Sequence, residues 1–380
     1  MTIDELLQTA CGSNASDLHL KVDNFPCVRI NGDLHPLAQF GRMTAEETRA
    51  MAASMMNEQQ KVRFNASTEL DMAYSIEGVG RFRTNVYLER GQVSMVVRVI
   101  PPAIRTLEEL NLPAAVSRLC DERRGLVLVT GSAGSGKSTT LAAMVDRINS
   151  TRSDHIITVE DPIEFYHHDK KSFINQREVG SDTPSFEAAL RSALRQDPDV
   201  LLVGEMRDLE TIRTAIIAAE TGHMVFSTLH TLDAQETVQR IIAVFPADEQ
   251  KQIRLQLAAT LKGVISQRLV CRADRKGRVP AAEVLVATEF IRECIINPDK
   301  TRLIRQLLAS GTSQYGMQTF DQSLYDLYSR GLITLENAVA WSCNPEEIRL
   351  RSAGIRSTSE VAREQMEKAA HEQIERFGEI

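Results

Sequence analysis

Tryptophan occurs once in this chain of 380 residues, at Trp341, and aromatic residues make up only 5% of it. Proteins that grip single-stranded nucleic acid stack bases on aromatic side chains within a basic groove. Here aromatics are scarce and the formal net charge is −7, which opposes an electrostatic hold on a phosphate backbone. No nucleic-acid partner is expected. Long apolar runs are missing as well, since none approaches the roughly 20 residues that a membrane-spanning helix needs. No basic, apolar leader opens the chain, so a soluble cytoplasmic protein is the expectation. The cysteines (Cys11, Cys27, Cys120, Cys271, Cys294, Cys343) are scattered without a CxxC pair. That pattern speaks against a disulfide framework or a zinc site and for reduced, buried thiols.

The length is too great for one ordinary core, so two globular domains are expected. In the first hundred residues short strands and helices mix. DLHLKV (17–22) and PCVRIN (26–31) read as strands, and TAEETRAMAASMM (44–56) as a helix capped by Thr44 with Glu47 three residues on. GRFRTNVYLER (80–90) and VSMVVRVI (93–100) read as a hairpin turning at Gly91. This is a small α+β domain over 1–100. Pro101 and Pro102 interrupt regular structure, and 101–113 reads as a linker.

From Gly125 to about Leu269, apolar strands alternate with helical stretches: LVLVT (126–130), HIITVE (155–160), DVLLVGE (199–205) and MVFSTLH (224–230). Continuously apolar strands separated by helices imply a parallel sheet covered on both faces, an α/β domain over 114–356. After Pro280 the pattern reads as helical through Trp341. The segment 357–380 reads as a charged amphipathic helix. Ser357 and Glu360 form a capping box, and Ala362, Met366, Ala370, Ile374 and Phe377 form one stripe, expected to pack on a neighbour.

Within the second domain, Gly131, Gly136, Lys137 and Ser138 fit G-x-x-x-x-G-K-[ST], directly after a strand and before the helical run TTLAAMVDRI. Glycines let backbone N–H groups converge on phosphate oxygens, and the following helix presents its positive end. Lys137 is placed to reach the β- and γ-phosphates, and the Ser138 hydroxyl to ligate Mg²⁺. Nucleotide binding follows; hydrolysis does not follow from this loop alone. DVLLVGEMRD ends a strand on Glu205, and a strand-end acid is the usual second half of such a site, orienting a water or holding magnesium through its shell. A further acidic cluster, VEDPIEF (159–165), ends another strand. Ligands of open α/β sheets gather beyond the carboxyl ends of the strands. Glu160, Asp161 and Glu164 therefore fall near the phosphates, unless they belong to a solvated loop. STLHT (227–231) places His230 at a third strand end, where it serves to sense the γ-phosphate or an acid, or is merely structural.

Taken together, GSAGSGKSTT, TVEDPIEF, QREVG (176–180), LRQDPDVLLVGEMRDLETI (194–212), AAETGH (218–223) and STLHT resemble the retraction ATPases of type IV pili, the PilT family of the secretion ATPase superfamily. The resemblance runs from about Asp17 through GMQTFDQ (316–322). It implies a PAS-like α+β N-terminal domain, a RecA-like P-loop domain with a helical C-terminal region, ATP and Mg²⁺ as cofactors, and a cytoplasmic homohexameric ring. Such a ring works at the cytoplasmic face of the inner membrane on a membrane platform protein, to which its contact is peripheral, and it drives pilus retraction and twitching motility. Gly131, Ser132, Ala133, Gly134, Ser135, Gly136, Lys137, Ser138 and Thr139 match the Walker A loop. Glu160, Asp161 and Glu164 match the Asp box, Glu205 the Walker B box and His230 the His box. Ser138, Glu160 and Asp161 are candidate Mg²⁺ ligands, direct or through water. Glu205, Glu164 and His230 are candidate catalytic residues. Arg81 and Arg83, with Arg98 a third, match arginines that reach a nucleotide held by the next subunit.

The chain also departs from the family pattern. Ser132-Ala133 stands where relatives carry Pro-Thr, the AIR motif is reduced to EFIREC (289–294), and the tail beyond Gly354 has no counterpart. GMQTFDQSLYDLY is similar to the PilU branch, so an accessory retraction ATPase stays open. An assembly or secretion ATPase is disfavoured by the lack of a tetracysteine site, and a non-catalytic module by the presence of Glu205. A small-molecule kinase lacks any sign of a lid or acceptor site.

Overall fold

The structure, a computed structural model, describes residues 1–30, 32–100 and 103–355. The expected tail helix over 357–380 and the proline pair 101–102 lie outside the described residues.

The first unit contains α1 (Ile3–Gly12), β1 (Asp17–Leu20), β2 (Cys27–Ile30), β3 (Asp33–Pro36), α2 (Ala45–Met55), α3 (Glu58–Ser67), β4 (Glu69–Ile76), β5 (Gly80–Glu89) and β6 (Gln92–Ile100). Its strands form one antiparallel sheet in the order β3-β2-β1-β6-β5-β4. Thr44 and Glu47 close the expected capping box on α2. β5 and β6 are joined by Arg90 and Gly91, with φ of 52° and 77°, the two positive values that a tight two-residue hairpin needs. Strand alternation sends Phe82 and Val86 of β5 into the core of this unit and leaves Arg81 and Arg83 on the opposite face, toward the second unit.

The second unit begins with α4 (Ala114–Leu119), β7 (Gly125–Thr130), α5 (Lys137–Thr151), β8 (His155–Glu160), β9 (Phe173–Glu178), α6 (Phe186–Ala193) and β10 (Val200–Val203). It continues with α7 (Leu209–Glu220), β11 (Met224–Leu229), α8 (Ala234–Ala243), α9 (Gln250–Thr260), β12 (Leu261–Cys271) and β13 (Arg278–Val286). The helices α10 (Glu289–Ile296), α11 (Ile304–Ser310), α12 (Thr312–Tyr315), α13 (Phe320–Ser329), α14 (Leu335–Trp341) and α15 (Pro345–Ser352) follow. The sheet order is β13-β12-β7-β11-β10-β8-β9. All neighbours are parallel except β12 and β13.

Leu126, Leu128, Leu201 and Val225 face one core, and Val127, Val129, Leu202 and Phe226 the other. Cover on both faces is why these strands carry continuous apolar runs. Leu107 and Leu110, from the segment joining the two units, are buried in the second of these cores. The two units are a PAS-like antiparallel sheet and a RecA-like P-loop fold. Among the described residues, no helix is long and apolar enough to cross a membrane.

One expectation needs correcting. The chain does not turn helical at Pro280, because β13 runs on to Val286 with Pro280 inside it, opposite Leu269 of β12. β13 is the edge strand, and an edge tolerates a residue without an N–H. Helical structure resumes at Glu289.

Candidate active site

β7 delivers the chain into the phosphate loop at Gly131, whose φ is 140°. A Cβ there would come within 2.5 Å of the Gln267 carbonyl oxygen and 2.6 Å of Ser135 Oγ, so only glycine fits the close approach of β12. Gly136, at φ 93°, is the N-cap of α5 and offers no side chain to cap that helix. Its first N–H groups are thereby left to an anion, which the helix end favours. Ser135 Oγ is buried at 3% exposure and has no hydrogen-bond partner among the described residues. Lys137 Nζ donates to the carbonyls of Gly131 at 2.7 Å and Ser132 at 3.0 Å, folding the cation over the loop. Burial pushes the Lys137 pKa down, while Glu205 and Glu164 lie close enough to favour its charged form. A cradle with no room for a Cβ, an unpartnered hydroxyl and a single lysine together fit the phosphates of a nucleotide.

Glu205 follows β10, with the turn pinned on both sides: Gly204 N donates to the Val159 carbonyl at 2.8 Å, and Thr228 Oγ1 to the Gly204 carbonyl at 2.7 Å. The carboxylate is 17% exposed and gripped at each oxygen, by His230 Nε2 at 3.1 Å and by Arg207 Nη2 at 2.8 Å. Burial alone would raise its pKa. The Arg207 guanidinium and His230 outweigh that and hold it below the usual carboxylate range. His230 sits just beyond β11, half exposed. This is an ionised carboxylate aimed from a rigid strand end, with a histidine able to pass it a hydrogen bond.

The acidic box ends β8. Glu160 accepts from Thr158 Oγ1 at 2.7 Å and from Gln176 Nε2 at 3.2 Å. Burial of its carboxyl nonetheless pushes the pKa up to about 7. Asp161 is exposed and close enough to Arg207 to act on it electrostatically. Glu164 Oε1 lies 3.5 Å from Arg83 Nη1 of β5. Lys137, Glu205, His230, Arg207 and Glu164 are thus assembled at the carboxyl ends of β7, β8, β10 and β11. Magnesium prefers hard oxygen donors and keeps several of its waters. Ser138, in the first turn of α5, and the carboxylate of Asp161 supply donors of that kind.

The three arginines of the first unit take three different positions. Arg81 is 9% exposed and engaged within its own chain: Nε donates to the Ile163 carbonyl at 2.6 Å and Nη2 to Glu178 Oε2 at 2.7 Å. Arg83 is 39% exposed and touches the site through Glu164. Arg98 is 65% exposed and pairs with Asp17 at 3.0 Å. Sequence reasoning gave no role to Arg207, Gln176 or Glu178. Arg207 stands two residues past Glu205, and the other two lie within QREVG, so their positions were visible while their partners were not.

The Type II/IV secretion system protein family matches residues 1–340. The type IV pilus retraction ATPase PilT of Pseudomonas aeruginosa is 46% identical over 338 residues, covering 89% of this chain and 97% of that protein. The type IV pilus ATPase PilU of the same organism is 41% identical over 350 residues, covering 92% of this chain and 91% of that protein. A crystal structure of the pilus retraction motor PilT with bound ADP superimposes with a TM-score of 0.84 at 47% identity, covering 91% of this chain and 98% of that one.

Proposed function

The chain belongs to the Type II/IV secretion system protein family, in its PilT branch, and from that premise we propose that it is an ATP-hydrolysing motor that powers type IV pilus retraction. The observation that carries the catalytic part is the Glu205 carboxylate, held ionised between His230 and Arg207 beside the phosphate loop.

In this reading residues Gly131 to Thr139 bind the phosphates and Lys137 bridges the terminal pair. Glu205 orients the attacking water, and His230 fixes the carboxylate and reports on the phosphate. Mg²⁺, held by Ser138 with Asp161 or Glu160 directly or through water, supplies charge neutralisation on the phosphates when bound. Glu164 keeps Lys137 charged and ties the site to Arg83. The working assembly is a homohexamer at the cytoplasmic face of the inner membrane, in contact with a membrane platform protein. Arg83, with Arg98, stabilises transition-state charge on a nucleotide held by the next subunit, as an arginine supplied in trans does in other P-loop enzymes. The domain division is 1–100, a connecting segment 101–113, and 114–356.

Deleting the gene should leave cells hyperpiliated and unable to twitch, with both defects cured by the wild-type gene and not by a Glu205→Gln copy. Retained twitching would instead assign the chain an accessory, PilU-like role, which the 41% identity over 92% of the chain favours as second reading.

A further inference from the structure

The QREVG segment ends β9 on Glu178, which belongs to none of the phosphate-site groups. Its carboxylate is 12% exposed and faces across the seam between the two units. There one oxygen, Oε2, accepts from Arg81 Nη2 at 2.7 Å and from the backbone N–H of Ile163 at 3.1 Å. Arg81 Nε donates to the carbonyl of the same Ile163 at 2.6 Å. Both backbone polar groups of Ile163 are therefore held, the donor by Glu178 of the second unit and the acceptor by Arg81 of the first. The guanidinium also lies over the Tyr166 ring, 4.3 Å from its centre. Ile163 is the middle of the acidic loop, two residues past Asp161 and one before Glu164. The seam beside it is a polar cavity of about 370 Å³ lined in part by Asn57, Gln60, Ser181 and Asp182, so the clamp is not reinforced by dense apolar packing on that side.

We propose that Glu178 is a positioning residue: with Arg81 it clamps Ile163 and thereby sets the acidic loop that carries Asp161 and Glu164 according to where the first unit sits. Two of these three hydrogen bonds come from Arg81, so displacing the first unit breaks both together and leaves the acidic loop held at Ile163 by Glu178 alone. This rests on the ATPase reading for its effect on rate, but the clamp itself is a statement about backbone protection and is testable without turnover.

The test uses the full-length chain and the variants Glu178→Ala, Glu178→Gln, Arg81→Ala and the double variant Arg81→Ala/Glu178→Ala. Amide hydrogen exchange of residues 161–165 should speed up about tenfold in both alanine variants while β7 stays protected, because the loop opens locally. Glutamine retains a carbonyl oxygen to accept both bonds, so Glu178→Gln should keep near-wild-type exchange, which an unfolded or purely charge-dependent site would not. In ATP hydrolysis, Glu178→Ala should lower kcat about tenfold or more with KM within about twofold, and the double variant should be no worse than either single, since one clamp is lost once. Wild-type exchange in Glu178→Ala, or a double variant whose losses multiply, would overturn the proposal. If the wild-type chain fails to hydrolyse ATP while the exchange pattern holds, the ATPase reading falls and the clamp stands.

Discussion

His230 Nε2 stands 3.1 Å from Glu205 Oε1, two residues delivered by adjacent parallel strands onto one carboxylate. With Arg207 on the other oxygen at 2.8 Å, the acid has little rotational freedom left. Restricting an acid in this way keeps the water it orients in a reactive geometry.

Replacing Glu205 by Gln preserves the shape and removes the negative charge. Such an acid matters mainly in the transition state, so kcat should fall about a hundredfold or more while ATP stays bound. Steady-state turnover together with a nucleotide-binding titration checks this. Undiminished turnover would transfer the role to Glu164.

His230→Ala should move the acid limb of the kcat/KM profile to higher pH. His230 is among the groups that hold the Glu205 carboxyl below its usual range, and removing a neighbour that favours the ionised form raises a carboxyl pKa. The variant then needs a higher pH to ionise Glu205. A pH–rate profile with an unmoved acid limb would show that His230 does not act on the Glu205 carboxyl.

Mixing experiments separate the arginines. Lys137→Ala should abolish tight ATP binding, because it removes the loop's only long side-chain cation. Chains carrying Arg83→Ala, mixed with Lys137→Ala chains, should regain activity that varies with the mixing ratio, since intact loop and intact arginine meet across a mixed interface. Arg81→Ala chains mixed with Lys137→Ala chains should regain none, because Arg81 serves Ile163 and Glu178 of its own chain. Restoration in the second mixture, measured as ATPase rate on assembled rings, would return Arg81 to the subunit boundary.

Glu160 carries a pH dependence of stability. Its carboxyl titrates near pH 7 in the folded chain against 4.5 for an unburied glutamate. A raised pKa means that the protonated form is the one folding favours. The contribution is therefore complete below about pH 4.5 and is lost as pH rises through about 7. Thermal melts of wild type and Glu160→Gln should show the wild type losing Tm relative to the variant across that window. Glu283, also pushed up to about 7 by burial, remains in both proteins and cancels. A Tm difference that does not change with pH would mean that Glu160 is ionised throughout.

The phosphate loop and the β5–β6 hairpin were readable because each is a local pattern: spaced glycines with one lysine, and alternation broken by Gly91. The central parallel strands were readable because cover on both faces gives each a continuous apolar run. β9 was not, since FINQRE is a half-exposed edge strand with no apolar run. β13 was hidden by Pro280, whose usual meaning as a breaker is suspended on an edge. Partnerships were the least legible. Arg81 and Glu178 are 97 residues apart, and nothing in either segment names the other. The arginine was expected to point outward at a neighbouring subunit, whereas its bonds in this structure run inward.

β12 lies between β7 and β13, paired with β7 from Leu261 to Ser266 and with β13 from Gly263 to Cys271. Thr130 Oγ1 at the mouth of the phosphate loop meets Ser266 Oγ at 2.8 Å, and Gln267 Nε2 reaches Thr140 of α5 at 2.9 Å. On the far side, Gln318 Nε2 bonds the Ala282 carbonyl of β13 at 2.7 Å, and Ser323 Oγ accepts from Ala282 N at 3.0 Å. A continuous path of hydrogen bonds therefore runs from the mouth of the nucleotide loop through β12 and β13 to α13, with a sheet for its spine.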